Sequence, residues 1–218
     1  SFDDIPFGPT LVIANEFFDC LPLRQFVKTD LKGDRKWRER LVCLNEREDG
    51  FCFRLSEQTY EDPPGAPANA QIESTFEVSE TSHDFIKGLS ARINAHKGRM
   101  LIVDYGHGRS GFGDTFQAVR RHDYIHPLSL PGDVDVTAHV DFAALARTGR
   151  AAGVRVDGPV RQGDFLVRLG FEQRLEVLAR AAGDNAENIV KGARRLVHPD
   201  EMGELFKVLC LSSSDLSE

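Results

Sequence analysis

The chain has 218 residues, 41% of them hydrophobic, and its 27 Lys and Arg against 34 Asp and Glu give a formal net charge of −7. That length can bury a core in one domain with an insertion, or in two small domains. The acidic balance, with no long basic run, disfavours sequence-independent nucleic-acid binding, and neither a membrane-helix run of ~20 apolar residues nor a signal-peptide pattern is present.

The run Leu11-Val12-Ile13-Ala14 stops abruptly at Asn15, Glu16 and, three residues on, Asp19. It reads as a strand of a parallel α/β sheet with both faces covered, whose polar residues sit at the carboxyl edge where ligands bind. Segments 24–28, 37–45 and 51–56 follow, separated by Lys32-Gly33-Asp34 and Glu48-Asp49-Gly50, and predict an antiparallel meander. Pro63-Pro64-Gly65-Ala66-Pro67 ends it as a loop. Phe85, Leu89 and Ile93 then give a helix that Gly98 terminates. Met100-Leu101-Ile102-Val103 predicts a second buried strand, ending at Asp104-Tyr105-Gly106.

A helix is expected from Asp114 or Thr115 to about His122, and another from Asp141 through Leu145 toward Gly153. Residues 154–156 predict a short strand, with Gly158-Pro159 and Gln162-Gly163 as turns and Gln162 able to reach the ligand edge. Segments 165–182 and 186–196 have helical periodicity. Segment 205–211 predicts the antiparallel last strand, and Ser212-Ser213-Ser214 a frayed tail. Cys20, Cys43, Cys52 and Cys210 read as small buried hydrophobes in a reducing compartment.

Asn15, Glu16 and Asp19 form the leading catalytic candidate, although Asp19 as a cap and Glu16 as a surface carboxylate is the bland alternative. Two carboxylates can hold a planar guanidinium bidentately and aim one nitrogen at an electrophile. Gly106, Gly108 and Gly111 form a Gly-x-Gly-x-x-Gly after a strand, but Gly111 is not in a helix's first turn, so a dinucleotide site is rejected. The looser reading makes this a loop at the ligand edge, where Asp104, Tyr105 and His107 could line a substrate pocket. Asp133, Asp135, Thr137, His139 and Asp141, with His107, His122 and His126, could be a metal site. They lack a known ligand spacing, and Asp141 suits a helix cap, so no metal is expected.

Ordered blocks carry a family resemblance: Ala14-Asn15-Glu16-Phe17-Phe18-Asp19 with Leu21-Pro22 and Arg24-Gln25-Phe26; Asp104-Tyr105-Gly106; Gly113-Asp114-Thr115 with Gln117-Ala118; Pro131-Gly132; Asp135 and Thr137-Ala138-His139-Val140-Asp141-Phe142; Gly158-Pro159 with Gln162-Gly163 and Phe165-Leu166; Met202-Gly203 with Phe206-Lys207. Together they resemble the MidA-like S-adenosylmethionine-dependent methyltransferases, which include a mitochondrial assembly factor for respiratory complex I. The resemblance implies an α/β, Rossmann-like class I methyltransferase sheet with an antiparallel β-meander insertion. The acidic, glycine-rich cofactor loop expected near the start of such an enzyme has no counterpart before Leu11, so the chain resembles the family's C-terminal portion and its cofactor-binding residues stay unassigned. The organisation expected is 1–23, the first strand and ligand-edge motif; 24–75, the β-rich insertion and proline-rich loop; and 76–218, the remainder of the α/β domain.

By the same resemblance the activity is protein arginine N-methylation with S-adenosylmethionine, the protein substrate being a complex I subunit. The location is cytoplasmic in a bacterium and the mitochondrial matrix in a eukaryote. Asp104, Tyr105, His107, Asp135, Thr137 and His139 are then substrate-side residues; Thr137 and His139 could position the acceptor loop with no chemistry assigned to them, and proton acceptance by His139 has only the near-neutral ordinary pKa of an imidazole in its favour. Two other readings stand beside it: a noncatalytic assembly or docking module gripping a partner with the insertion, and a metal-dependent hydrolase.

Overall fold

The computed structural model describes residues 4–121 and 123–215, and the chain divides into two compact units. The first contains the residues up to Phe18, Ile86–Gly108 and those from Val140 onward; the second contains Asp19–Phe85 and Arg109–His139. In chain order, strands β1 (Thr10–Asn15), β2 (Arg24–Leu31), β3 (Asp34–Leu44), β4 (Phe51–Tyr60) and β5 (Thr75–Val78) precede helix α1 (Glu80–His96) and strand β6 (Gly98–His107). Short strands β7 (Gln117–Arg120), β8 (Asp123–Ile125), β9 (Asp135–Thr137) and β10 (Val140–Asp141) follow. The chain closes with α2 (Phe142–Ala151), β11 (Arg155–Arg161), α3 (Gln162–Arg168), α4 (Phe171–Ala181), α5 (Ala186–Val197) and β12 (Phe206–Ser212).

The first unit is built on a mixed sheet ordered β1-β6-β12-β11, with β10 beside the end of β6. Strands β1 and β10 run parallel to β6, whereas β12 is antiparallel to both β6 and β11. The expected antiparallel last strand is therefore present, and it is inserted between two strands that point the same way. Met100, Ile102, Leu209 and Leu211 are fully buried, as are Leu89 and Ile93 of α1 and Phe142 of α2. The side chain of Asp141 caps α2 as its residue type predicts, accepting from the Ala144 amide at 2.9 Å.

The second unit holds two antiparallel sheets, ordered β4-β3-β2-β5 and β8-β7-β9. The meander is as its turns predict, with Lys32 and Gly33 at φ 56° and 90° between β2 and β3. Its core is Phe26, Trp37, Phe76 and Val78, flanked by Tyr60 and Phe112. Against this core Arg24 grips Glu39 with two donors, Nε at 2.7 Å and one terminal nitrogen at 2.8 Å. Its other terminal nitrogen reaches Glu80 at 3.0 Å, and the guanidinium lies 4.9 Å from the Phe26 ring centroid.

The Arg24 hydrogen bond holds the Glu39 carboxyl below its ordinary range, and attraction to Arg24 acts the same way, outweighing burial. With the folded value lowered, this stabilisation is complete above the unfolded pKa and is lost as pH falls through the folded one. Glu39→Gln is expected to lower stability by about 1.5–3 kcal/mol near neutrality, the usual range for charge-assisted hydrogen bonds. Unfolding curves against pH should show the gap between variant and wild type closing in acid; a gap constant to the lowest pH would refute the assignment.

Several local expectations are corrected. The segment from Asp114 to Arg120 is not helical: β7 pairs with β8 and β9, and His122 lies outside the described residues. Gly98 does not terminate α1; Lys97 takes the left-handed turn at φ 61°, and Gly98 opens β6 because a Cβ there would lie 2.3 Å from the Thr10 carbonyl oxygen. Among the described residues, Leu11 and Ile13 of β1 are 83% and 77% exposed. Residues 165–182 are two helices, broken at Gly170 with φ 87°. Gly158-Pro159 lies inside β11, where its register with β12 shifts, and Gln162 opens α3 with its amide nitrogen on the Leu196 carbonyl at 2.9 Å. Ser212 belongs to β12 and Ser213 is buried, its amide bonded to the Gly98 carbonyl at 3.2 Å. The cysteines are free thiols but none is fully buried, and Cys20 is exposed.

Candidate active site

In the first unit the polar cluster begins where β1 ends. Asn15 is the last residue paired with β6, opposite Val103, and the Glu16 amide continues the ladder to the Val103 carbonyl at 3.0 Å. The chain then turns sharply, with Glu16 at φ 47°, a left-handed value few non-glycine residues adopt. Asn15 and Glu16 are both exposed, and the Asn15 side-chain amide donates to Glu16 Oε1 at 3.2 Å. A carboxylate is thus presented beyond the carboxyl end of a parallel strand pair.

Asp104, on β6, is fully buried. One carboxylate oxygen accepts from the amides of Phe17 at 3.1 Å and Phe18 at 3.0 Å, and the other from its neighbour Tyr105 at 2.9 Å. Tyr105 is half-buried, its ring edge-on to Phe206 at 5.5 Å between centroids. His107 closes β6 opposite Asp141 of β10, with Nε2 3.8 Å from the Asp141 carboxylate, an ion pair when the imidazole is protonated. The parallel approach of β10 requires Gly106, where a Cβ would lie 2.1 Å from the Val140 carbonyl oxygen.

The second unit holds Asp19, Asp135, Thr137 and His139. Asp19 is buried, its carbonyl accepting from the Ala138 amide at 2.9 Å, while Asp135 is exposed on β9. Asp19 and Thr137 line a groove of about 290 Å³ whose apolar walls include Leu21, Val42, Phe53 and Phe116. Beside it runs a network that sequence reasoning missed. Arg40 pairs with Asp114 at 2.7 Å and donates to Gln25 at 2.9 Å; Gln25 in turn donates to Asp114 at 2.9 Å and Glu77 at 2.7 Å. Glu77 accepts from the Thr115 amide at 3.0 Å and from its hydroxyl, whose oxygen accepts the His139 amide at 2.9 Å.

This network explains the Gly113-Asp114-Thr115 block, and ties Thr137-Ala138-His139 to it through backbone as well as side chains. Gln25 fell in the Arg24-Gln25-Phe26 block of the resemblance without a role, and the polar–apolar alternation of β5 was the sequence signal for Glu77. Among the described residues no group of three or more His, Cys, Asp or Glu is arranged to hold a metal ion. His126 lies against Phe53 at 6.0 Å between ring centroids, and the His139 backbone amide is engaged by Thr115.

Residues 1–160 match the family model described as "Putative S-adenosyl-L-methionine-dependent methyltransferase". The chain belongs to this family. Its curated relatives include the mitochondrial protein arginine methyltransferase NDUFAF7 homolog of Drosophila melanogaster, 37% identical over 96% of this chain and 48% of the relative, and NDUFAF7 of Homo sapiens, 34% identical over 95% and 46%. The chain thus spans about half the length of the curated relatives it matches. Among solved structures, a Burkholderia thailandensis protein bound to S-adenosyl-homocysteine superposes with TM-score 0.83 at 25% identity, covering 99% of this chain and 56% of that one. The fold is α/β with a mixed sheet, and the family's cofactor is S-adenosylmethionine. Among the described residues no helix is long and apolar enough to cross a membrane.

Proposed function

We propose that the protein, as a class I methyltransferase, transfers a methyl group from S-adenosylmethionine to a guanidinium nitrogen of an arginine in a protein substrate, a respiratory complex I subunit in the fullest form of the reading. One observation carries it: the exposed Glu16 carboxylate at the carboxyl end of the parallel β1–β6 pair, in a sheet whose β12 is reversed between parallel strands. Relatives named protein arginine methyltransferases support the acceptor, and their mitochondrial names support the matrix as the site of action in a eukaryote. The bacterial counterpart would act in the cytoplasm.

The residues present fit this chemistry in charge. S-adenosylmethionine supplies an electrophilic methyl group on a cationic sulfonium, and an anionic edge offsets two approaching positive charges. Glu16 accepts paired hydrogen bonds from the guanidinium and orients one nitrogen, with Asn15 fixing the carboxylate's rotamer. The acceptor's lone pair is delocalised, so alignment supplies much of the rate. Arginine is cationic before and after methylation; one proton is released overall, after the new N–C bond forms. Tyr105 and His107, at the end of β6, are the further substrate-side candidates of the first unit; in the second unit Asp19 and Thr137 line the apolar groove, and Asp135 and His139 are substrate-side candidates there.

The test is calorimetric titration of S-adenosylmethionine and S-adenosylhomocysteine into the protein carrying this segment at its relatives' full length, followed by methyl transfer to arginine-containing polypeptides. Binding and mono- or dimethylarginine in the product are expected. Binding without transfer to any arginine would refute the acceptor, and no binding would refute the cofactor assignment.

A docking role for the insertion is the second reading, favoured by one feature. Leu41, Val42, Leu44 and Phe51 of adjacent strands β3 and β4 are each at least 40% exposed, and clustered exposed apolar side chains mark interaction surfaces. If it holds, Leu44→Asp abolishes partner capture while leaving transfer to a short arginine peptide intact.

A further inference from the structure

We infer that Asp104 is a positioning residue: its buried carboxylate sets the turn that presents Glu16, and it does not itself meet substrate. The inference rests on the methyl-transfer reading for its effect on turnover, whereas the anchoring of the turn stands on geometry alone. Glu16 at φ 47° occupies a backbone region that side-chain-bearing residues avoid. Such conformations persist where the surroundings over-determine them. On one side the Glu16 amide is held by the Val103 carbonyl at 3.0 Å. On the other, the next two amides, of Phe17 and Phe18, both point at Asp104 Oδ2, at 3.1 and 3.0 Å.

Successive backbone N–H groups converging on one oxygen form an anion nest. Here the anion is the protein's own, supplied from a strand 86 or 87 positions along the chain. A third donor, the Tyr105 amide, engages the other oxygen at 2.9 Å. Asp104 is 0% exposed, so its carboxylate cannot contact a bound polypeptide, and a buried carboxylate needs such donors to remain favourable. Tying β6 to the residues immediately after Glu16 fixes where the Glu16 side chain leaves the backbone. Local sequence alone would let a glutamate there relax to ordinary φ.

Asp104→Asn keeps the shape but replaces one accepting oxygen with a donor, so at least one of the three amides loses its partner. Native-state hydrogen exchange is expected to show the Phe17 and Phe18 amides protected in the wild type and exchanging about 10- to 100-fold faster in the variant, the worth of charge-assisted hydrogen bonds. Amides of β12 and α2 should stay within about threefold. In methyl transfer, kcat should fall about 10- to 100-fold with KM nearly unchanged, as for a misplaced reactive group. The double variant with Glu16→Gln should be no slower than Glu16→Gln alone, because Asp104 acts through Glu16.

Unchanged exchange at Phe17 and Phe18, or equal acceleration throughout the sheet, would overturn the inference, as would multiplicative losses in the double variant. Should Asp104→Asn fail to fold, the wild-type protein decides: exchange of these two amides at open-loop rates overturns the anchor, and protection equal to that of β6 upholds it. If the wild type transfers no methyl group, the functional reading fails while the exchange data still decide whether Asp104 holds the turn.

Discussion

Replacing Glu16 by Gln is expected to reduce kcat for methyl transfer to an arginine polypeptide by about 10²–10³-fold, the loss seen when one preorganised electrostatic group is removed from a transition state. The substitution is nearly isosteric, and Gln retains an oxygen that can accept from the Asn15 amide at the 3.2 Å contact. What disappears is the charge. A neutral amide cannot accept two guanidinium donors as a carboxylate does, nor offset the cationic methyl donor. Because Glu16 is exposed, the melting temperature should be unaffected, as surface changes are usually within about 0.5 kcal/mol. S-adenosylhomocysteine affinity should also hold, since Glu16 is assigned to the acceptor. Turnover within threefold of wild type would remove Glu16 from the mechanism, and a matching loss of cofactor affinity would move it to the cofactor side.

Features set by local chemistry were legible before the structure. The strand ending at Asn15, the Lys32-Gly33 turn, the cap at Asp141 and the reversed strand near the C-terminus all follow from residues that are neighbours in sequence. Those that failed depended on distant partners. Residues Gln117–Arg120 have no strong period of their own and become a strand because Asp135–Thr137 and Asp123–Ile125 lie on either side. Gly98 and Lys97 exchanged roles because the close approach of Thr10 claims the glycine.

The candidate site divides in the same way. Glu16 was visible as a carboxylate ending an apolar run, but its left-handed backbone was not, because nothing in Asn15-Glu16-Phe17 favours one. Asp104 read as a residue that could line a substrate pocket at a strand end, whereas its burial and three amide donors belong to tertiary structure. Gln25, Glu77 and Thr115 carried no motif that announced a network, since each takes its partners from a separate segment.

Gly106→Ala is expected to destabilise the protein by about 3 kcal/mol or more, toward the upper range for overpacking. The added Cβ would lie 2.1, 2.7 and 2.8 Å from the Val140 carbonyl oxygen, nitrogen and carbonyl carbon, all backbone atoms that no rotamer change can withdraw. Strand β10 must then part from β6, and with it move Asp141, which caps α2 and faces His107. For a chain of this size the melting temperature should fall by roughly 6–12 °C. Gly108→Ala is the control two residues away: its Cβ would meet nothing nearer than Pro159 Cγ at 3.7 Å, so near-neutral stability is expected. Equal denaturation midpoints for Gly106→Ala and wild type would contradict the strand-contact assignment. The contrast also separates two meanings of the Gly-x-Gly pattern. In a phosphate-cradling loop both glycines serve the approach of a ligand, whereas here only the first is sterically required, and what approaches it is the protein's own β10.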